Sequence, residues 1–156
     1  MKRIILLTTA TLTTATLIAA ASLSAIEQSI EAKIYSREKF VRLRNGTPLY
    51  SEKEVAYHSF PEKFDGYRIS VRNLRSEEPV RFKVKKAGLV RIAAAGVLLS
   101  DLRNDGWIDV GTVDFIDASG TIFEGQIAIL EKNLNVGDYT IPAKNGGAFG
   151  ARLLIK

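Results

Sequence analysis

The chain has 156 residues, 22 of them basic and 17 acidic, a length that suits one domain. It contains no cysteine, which excludes a disulfide scaffold, thiol catalysis, cysteine zinc sites and a lipid-modified N-terminal cysteine. Basic residues outnumber acidic ones by 15 to 9 over residues 26–91, which indicates either a surface for an anionic partner or solvated strand faces. The chain has no dense run of Lys and Arg, so we do not expect it to bind nucleic acid.

Residues 1–25 have the order of a secretory signal peptide. Lys2 and Arg3 precede an uncharged stretch over residues 4–21, and small residues continue to Ala25. We expect cleavage between Ala21 and Ala25, so that the mature chain, residues 26–156, is secreted or periplasmic. The alternative is a retained anchor, since the stretch is long enough to cross a bilayer. Contact with a membrane is expected only through this segment, if it stays uncleaved.

Residues 26–39 form a lead-in segment. Ile26, Ile30 and Ile34 recur at four-residue spacing, which favours a short helix or a mobile lead-in.

Residues 40–156 have the pattern of a β domain. Residues 67–72 and 80–85 alternate apolar and basic side chains, which predicts two half-buried strands with Arg and Lys in water. Residues 89–95 are more continuously apolar and predict a buried strand. Residues 53–65 are irregular, residues 101–106 predict a polar loop, and further strands are expected over residues 41–44, 47–51, 107–115, 121–130, 138–141 and 149–155. This spacing predicts a single all-β domain, an antiparallel β-sandwich or jelly-roll-like fold.

Polar residues that could carry chemistry form no recognisable catalytic or metal motif. His58 is the sole histidine and no nucleophile-elbow motif accompanies it. Residues 101–112 partly match a calcium-binding loop, but Arg103 and Thr112 occupy ligand positions. The residue types present do not exclude a pair of carboxylates for glycoside hydrolysis. The acids that could form such a pair are Asp101, Asp105, Asp109, Asp114, Asp117 and Glu124. We predict no catalytic residue, no metal and no cofactor.

Trp107, the sole tryptophan, is the main candidate for ligand binding. It follows Asn104 and Asp105 and precedes Asp109, so an exposed indole there would stack on a sugar ring beside polar groups. Tyr67 would supplement this platform. The alternative is that Trp107 is a core residue between two sheets.

Strand and turn residues across positions 41–156 resemble small β-sandwich modules that occur at the ends of secreted bacterial glycan-processing enzymes. The resemblance is carried by Leu49-Tyr50-Ser51, Ser59-Phe60-Pro61-Glu62, Phe64-Asp65-Gly66-Tyr67, Val80-Arg81-Phe82-Lys83-Val84, Gly106-Trp107 and the closing residues 147–155. It implies an accessory, sugar-associated and non-catalytic role, and it defines no binding residues. In such modules the tryptophan more often precedes a leucine, whereas here it follows Asp105-Gly106.

Three functions are therefore compared. The first is an exported β-sandwich that binds a polysaccharide or another envelope component. The second is a structural or interaction protein whose basic strands, residues 67–72 and 80–85, contact an anionic surface such as lipid head groups or an acidic polymer. The third is a small hydrolase that uses carboxylates between Asp101 and Asp117. Fold alone does not choose among them.

Overall fold

Ten β-strands and one short α-helix make up the part of the chain that the computed structural model describes, residues 30–50, 54–72, 78–143 and 150–156. The predicted signal peptide lies outside the described residues. The strands are β1 (Lys33–Ser36), β2 (Lys39–Arg42), β3 (Ala56–Ser59), β4 (Arg68–Val71), β5 (Val80–Lys86), β6 (Gly88–Ala94), β7 (Ile108–Ile116), β8 (Ile122–Leu134), β9 (Gly137–Ile141) and β10 (Arg152–Ile155).

The strands form two antiparallel sheets. A three-stranded sheet has the order β1-β5-β9, and a seven-stranded sheet has the order β2-β4-β10-β6-β8-β7-β3. The larger sheet curls into a half-barrel, because residues 43–49 bridge its two ends: Leu43 N–H donates to the Tyr67 carbonyl at 2.8 Å and Gly46 N–H to the Tyr57 carbonyl at 2.8 Å. The prediction of an all-β, sandwich-like single domain is confirmed.

The larger sheet packs a separate core on each face. One core lies between the two sheets and contains Phe82, Val84, Ile92, Leu130 and Leu153. The other fills the half-barrel and contains Leu43, Tyr57, Ile69, Val113 and Leu154. Burial of apolar area on both faces explains the nearly continuous apolar run of β6, which the sequence predicts as a buried strand.

The lead-in segment is extended from Glu31 onward and crosses the start of β6. Ala32 N–H donates to the Leu89 carbonyl at 2.9 Å, and Leu89 N–H donates to the Ile30 carbonyl at 2.8 Å. Residues 33–36 then pair with β5 as strand β1. The helix considered for residues 26–39 is therefore wrong over its described part. Ile30 and Ile34 also fit a two-residue period, and pairing with β5 selects the strand.

The first four residues of the polar loop predicted over residues 101–106 instead belong to the α-helix α1 (Leu98–Asn104). Leu98 and Leu102, one helical turn apart, are both buried and join the core between the sheets. Among the described residues, no helix combines the length and the apolar character that a bilayer crossing requires. The irregular stretch before β4 also contains more structure than expected: strand β3 and a 3₁₀ turn over Glu62–Phe64.

Candidate functional site

Trp107 lies in the core between the sheets. Its side chain is 5% exposed and packs with Leu98, Leu102 and Leu134. It reaches the floor of a mostly apolar cleft of about 420 Å³ between α1 and β9. An indole enclosed in this way has no open face for a sugar ring, so the structure favours the core interpretation over the stacking platform.

The polar residues around Trp107 are exposed, and two of them form ion pairs. Asp109 accepts two hydrogen bonds from the Arg103 guanidinium, at 2.8 and 2.9 Å, and this contact lowers the pKa of its carboxyl. The Asp105 carboxylate lies 3.1 Å from Lys132 Nζ. Asn104 ends α1 and is exposed. The two ion pairs thus join side chains at the connection between α1 and β7 to each other and to β8.

Tyr67 is 5% exposed and belongs to a different cluster, which fastens the lead-in segment to the larger sheet. Its hydroxyl donates to Glu31 at 2.7 Å and accepts from Arg91 at 2.9 Å. Arg91 also pairs with Glu31 and, at 3.0 Å, with Glu131. Burial, together with the hydrogen bond to Glu31, raises the pKa of Tyr67 to about 12. Tyr67 does not share a surface with Trp107.

Two of the other acids considered for hydrolysis, Asp114 and Asp117, accept hydrogen bonds from nearby residues. Asp114 accepts from Gly125 N–H at 2.7 Å, where β7 and β8 shift register. Asp117 accepts from Ser119 and Thr121 in the turn between the same strands. Across the described ranges, no three His, Asp or Glu side chains cluster closely enough to hold a metal ion. The calcium-loop alternative is wrong, because α1 occupies residues 98–104 and Asp105 and Asp109 bind cationic side chains.

The surface with the clearest binding character is the outer face of the three-stranded sheet, of which the sequence predicts only the basic strand over residues 80–85. β5 buries Val80, Phe82 and Val84 and turns the side chains between them outward, as its sequence predicts. We define the Tyr35 face as the outward residues of these strands, Lys33, Tyr35, Arg81, Lys83, Lys85, Asp138 and Thr140.

Tyr35 is 60% exposed on β1, an edge strand of this sheet. It lies directly opposite Lys83 in the register, and Lys83 lies directly opposite Asp138, so the three side chains form a row across the sheet. Arg81 and Thr140 form the neighbouring cross-strand pair. A shallow depression of about 500 Å³ adjoins the row and is bounded by Tyr35, Arg37, Glu78, Arg81 and Thr140.

Exposed aromatic rings are scarce in the described chain. Besides Tyr35, Phe123 is exposed, and it stacks on Phe115 with the ring centroids 4.6 Å apart. The signal for Tyr35 was present in the sequence, because residues 33–36 alternate and place an aromatic residue at a polar position of the strand. The helical interpretation of residues 26–39 concealed it.

Comparisons with known proteins give information about the fold of the chain. No protein-family model matches the chain, and no curated protein matches it. A solved structure, that of a GH138 enzyme targeting pectin rhamnogalacturonan II, is similar to it with a TM-score of 0.53 and 14% sequence identity. The similarity covers 80% of this chain and 16% of that enzyme's chain. The chain therefore shares its fold with one region of that enzyme.

Proposed function

We propose that this chain is an exported, non-catalytic β-sandwich protein that binds glycan at the bacterial cell envelope, and that the Tyr35 face is its binding surface. The observation that carries the proposal is the 60% exposure of Tyr35 on a sheet face. An aromatic ring held at such a position costs hydrophobic free energy in water, which contact with the apolar face of a sugar ring recovers.

Neighbouring groups suit a sugar ligand. Lys83 projects from β5, next to Tyr35, and Asp138 and Thr140 project from β9, on the far side of β5. Together they offer both hydrogen-bond donors and acceptors to ring hydroxyls. All of them stand on strands rather than on loops, so the sheet holds their spacing before the ligand arrives. The fold shared with a region of a glycan-processing enzyme supports a glycan as the ligand, and the predicted signal peptide supports export.

Retention of the purified protein on a panel of immobilised polysaccharides tests the proposal. Tyr35→Ala is expected to weaken binding to the retained polysaccharide roughly tenfold, because stacking of an aromatic ring is worth about 0.5–1.5 kcal/mol beyond the area buried. Tyr35→Phe keeps the ring and is expected to retain most of the affinity.

Ile108→Ala is the matched control, since Ile108 is 65% exposed on β7 in the other sheet. The proposal fails if no polysaccharide retains the protein, or if Tyr35→Ala and Ile108→Ala bind alike.

A further inference from the structure

We infer that the glycan bound by the Tyr35 face is acidic, a polysaccharide that carries carboxylate groups such as those of uronic acids. The inference rests on the proposed function and names its ligand class. Four cations stand on this face, Lys33, Arg81, Lys83 and Lys85, against the single anion Asp138. At the edge of the face, Arg37 lies beside two acids, Glu38 and Glu78, and Glu38 is paired with Arg72 at 3.3 Å, so these four residues leave the excess unchanged.

The positive charge on the Tyr35 face is poorly neutralised. Lys83 Nζ lies 3.5 Å from the Asp138 carboxylate, but the two side chains are 44% and 78% exposed, and an ion pair so open to water is weak. Within the described part of the chain, Lys33, Arg81 and Lys85 form no salt bridge.

Repulsion adds to this imbalance at the edge of the face. Lys33 is the cross-strand partner of Lys86, and like charges in that position destabilise a sheet. Arg91, in contrast, meets both Glu31 and Glu131. An anionic ligand relieves the repulsion between cations on the Tyr35 face. Binding of such a ligand is therefore favoured by the positive charges that have no partner in the folded protein.

The position of the Tyr35 ring relative to the cations favours a charged sugar over an anion that has no ring to stack on Tyr35. Lys83 is one strand away from Tyr35, about 5 Å, and Arg81 and Lys85 lie about 7 Å along β5 on either side of it. A sugar ring stacked on Tyr35 therefore has its substituents within reach of Lys83, while the neighbouring sugars of the same polymer pass Arg81 and Lys85.

A second basic position shows what is special about this face. Arg42 and Arg68 also face each other, across β2 and β4. Neither exposed aromatic ring of the described chain, Tyr35 or Phe123, belongs to those strands. Charge and an exposed ring occur together on the Tyr35 face, and an acidic glycan offers a partner to both, a sugar ring to Tyr35 and carboxylates to the cations.

Binding of the purified protein to polygalacturonate and to the same polymer with its carboxyl groups methyl-esterified tests the inference. We expect esterification to weaken binding roughly tenfold and added salt to weaken binding to polygalacturonate, because screening acts on exposed charges. The double variant Arg81→Gln/Lys85→Gln is expected to lose roughly three- to tenfold in affinity for polygalacturonate. Arg42→Gln/Arg44→Gln removes the same charge elsewhere and is expected to bind nearly as the unchanged protein does. Circular dichroism confirms that each variant is folded.

The remaining outcomes separate the inference from the proposed function. Equal, Tyr35-dependent binding to both polymers overturns the acidic ligand and leaves glycan binding standing. Binding to polyaspartate as tight as to polygalacturonate overturns recognition of a sugar. Vesicles of phosphatidylglycerol and phosphatidylcholine that bind the protein, when neither polymer does, overturn both in favour of a lipid surface. Absence of binding to every probe, a neutral polysaccharide panel included, also overturns both.

Discussion

Gly88 allows the lead-in segment to cross β6, and Gly88→Ala is expected to destabilise the protein by about 3 kcal/mol. A Cβ atom at this position would lie 2.3 Å from the Ile30 carbonyl oxygen and 2.9 Å from the Ala32 nitrogen. Both are backbone atoms, so no side-chain rotation relieves the overlap. The crossing segment has to move away from β6.

The size of the effect follows from the contacts that such a movement breaks. Two backbone hydrogen bonds join Leu89 to Ile30 and Ala32, each worth about 1 kcal/mol net. Displacement of Glu31 also weakens its ion pair with Arg91, which is largely buried, and its hydrogen bond from Tyr67; together these add about 1 kcal/mol more.

Urea unfolding measures the loss, and hydrogen exchange at the Ala32 and Leu89 amides shows where it occurs. Gly137→Ala is the matched control in strand β9, since a Cβ there meets the Tyr139 ring no closer than 3.6 Å, an ordinary contact. We expect it to change stability by less than about 1 kcal/mol. If Gly88→Ala unfolds at the same urea concentration as the unchanged protein, with both amides still protected, the close crossing is refuted.

Two further predictions concern residues of the sequence-predicted site. Trp107→Ala is expected to lower the free energy of unfolding by about 3–5 kcal/mol, as truncations of buried aromatic residues do, and to leave glycan affinity unchanged in the folded protein. A lower affinity with unchanged stability would instead show that Trp107 belongs to the binding surface. Tyr67 holds its proton more tightly in the folded state than in the unfolded chain, because burial and the bond to Glu31 raise its pKa from 10.0 to about 12. Its contribution to stability is therefore complete below pH 10 and is lost as the pH rises through about 12. Urea midpoints measured against pH should show a shallower alkaline decline for Tyr67→Phe, and an identical decline in both proteins would contradict the assignment.

Much of the fold follows from local sequence pattern. Alternation over residues 80–85 predicts β5 with its basic side chains in water, and the apolar run over residues 89–95 predicts the buried strand β6. Both are confirmed, because the two-residue period and burial on both faces are properties that a strand carries in its own residues.

Other elements depend on contacts with residues that are distant in sequence, and the sequence pattern did not predict them. β1 exists because β5 offers it an edge, and its isoleucine spacing equally suits a helix. α1 is marked by only two buried leucines, and its second half reads as a polar turn. Short elements contribute too few residues to establish a period, so tertiary contacts decide them.

The candidate site could not be predicted from the sequence, for a related reason. Sequence proximity placed Trp107 among exposed polar residues, but the indole turns inward while Asn104, Asp105 and Asp109 turn outward. The Tyr35 face joins residues from three strands that lie up to about a hundred positions apart along the chain. Only the sheet order brings Tyr35, Lys83 and Asp138 into one row.

The place of β10 in the larger sheet has a consequence for how the chain reaches its folded state. This strand is the last in sequence, yet it lies between β4 and β6, and Leu153 N–H donates to the Ser70 hydroxyl at 2.9 Å. Without residues 152–155, β4 and β6 present two facing edges in the middle of the sheet that have no partner. Completion of the half-barrel therefore depends on a pairing between residues that are distant in sequence, and a chain that lacks β10 stays incompletely folded.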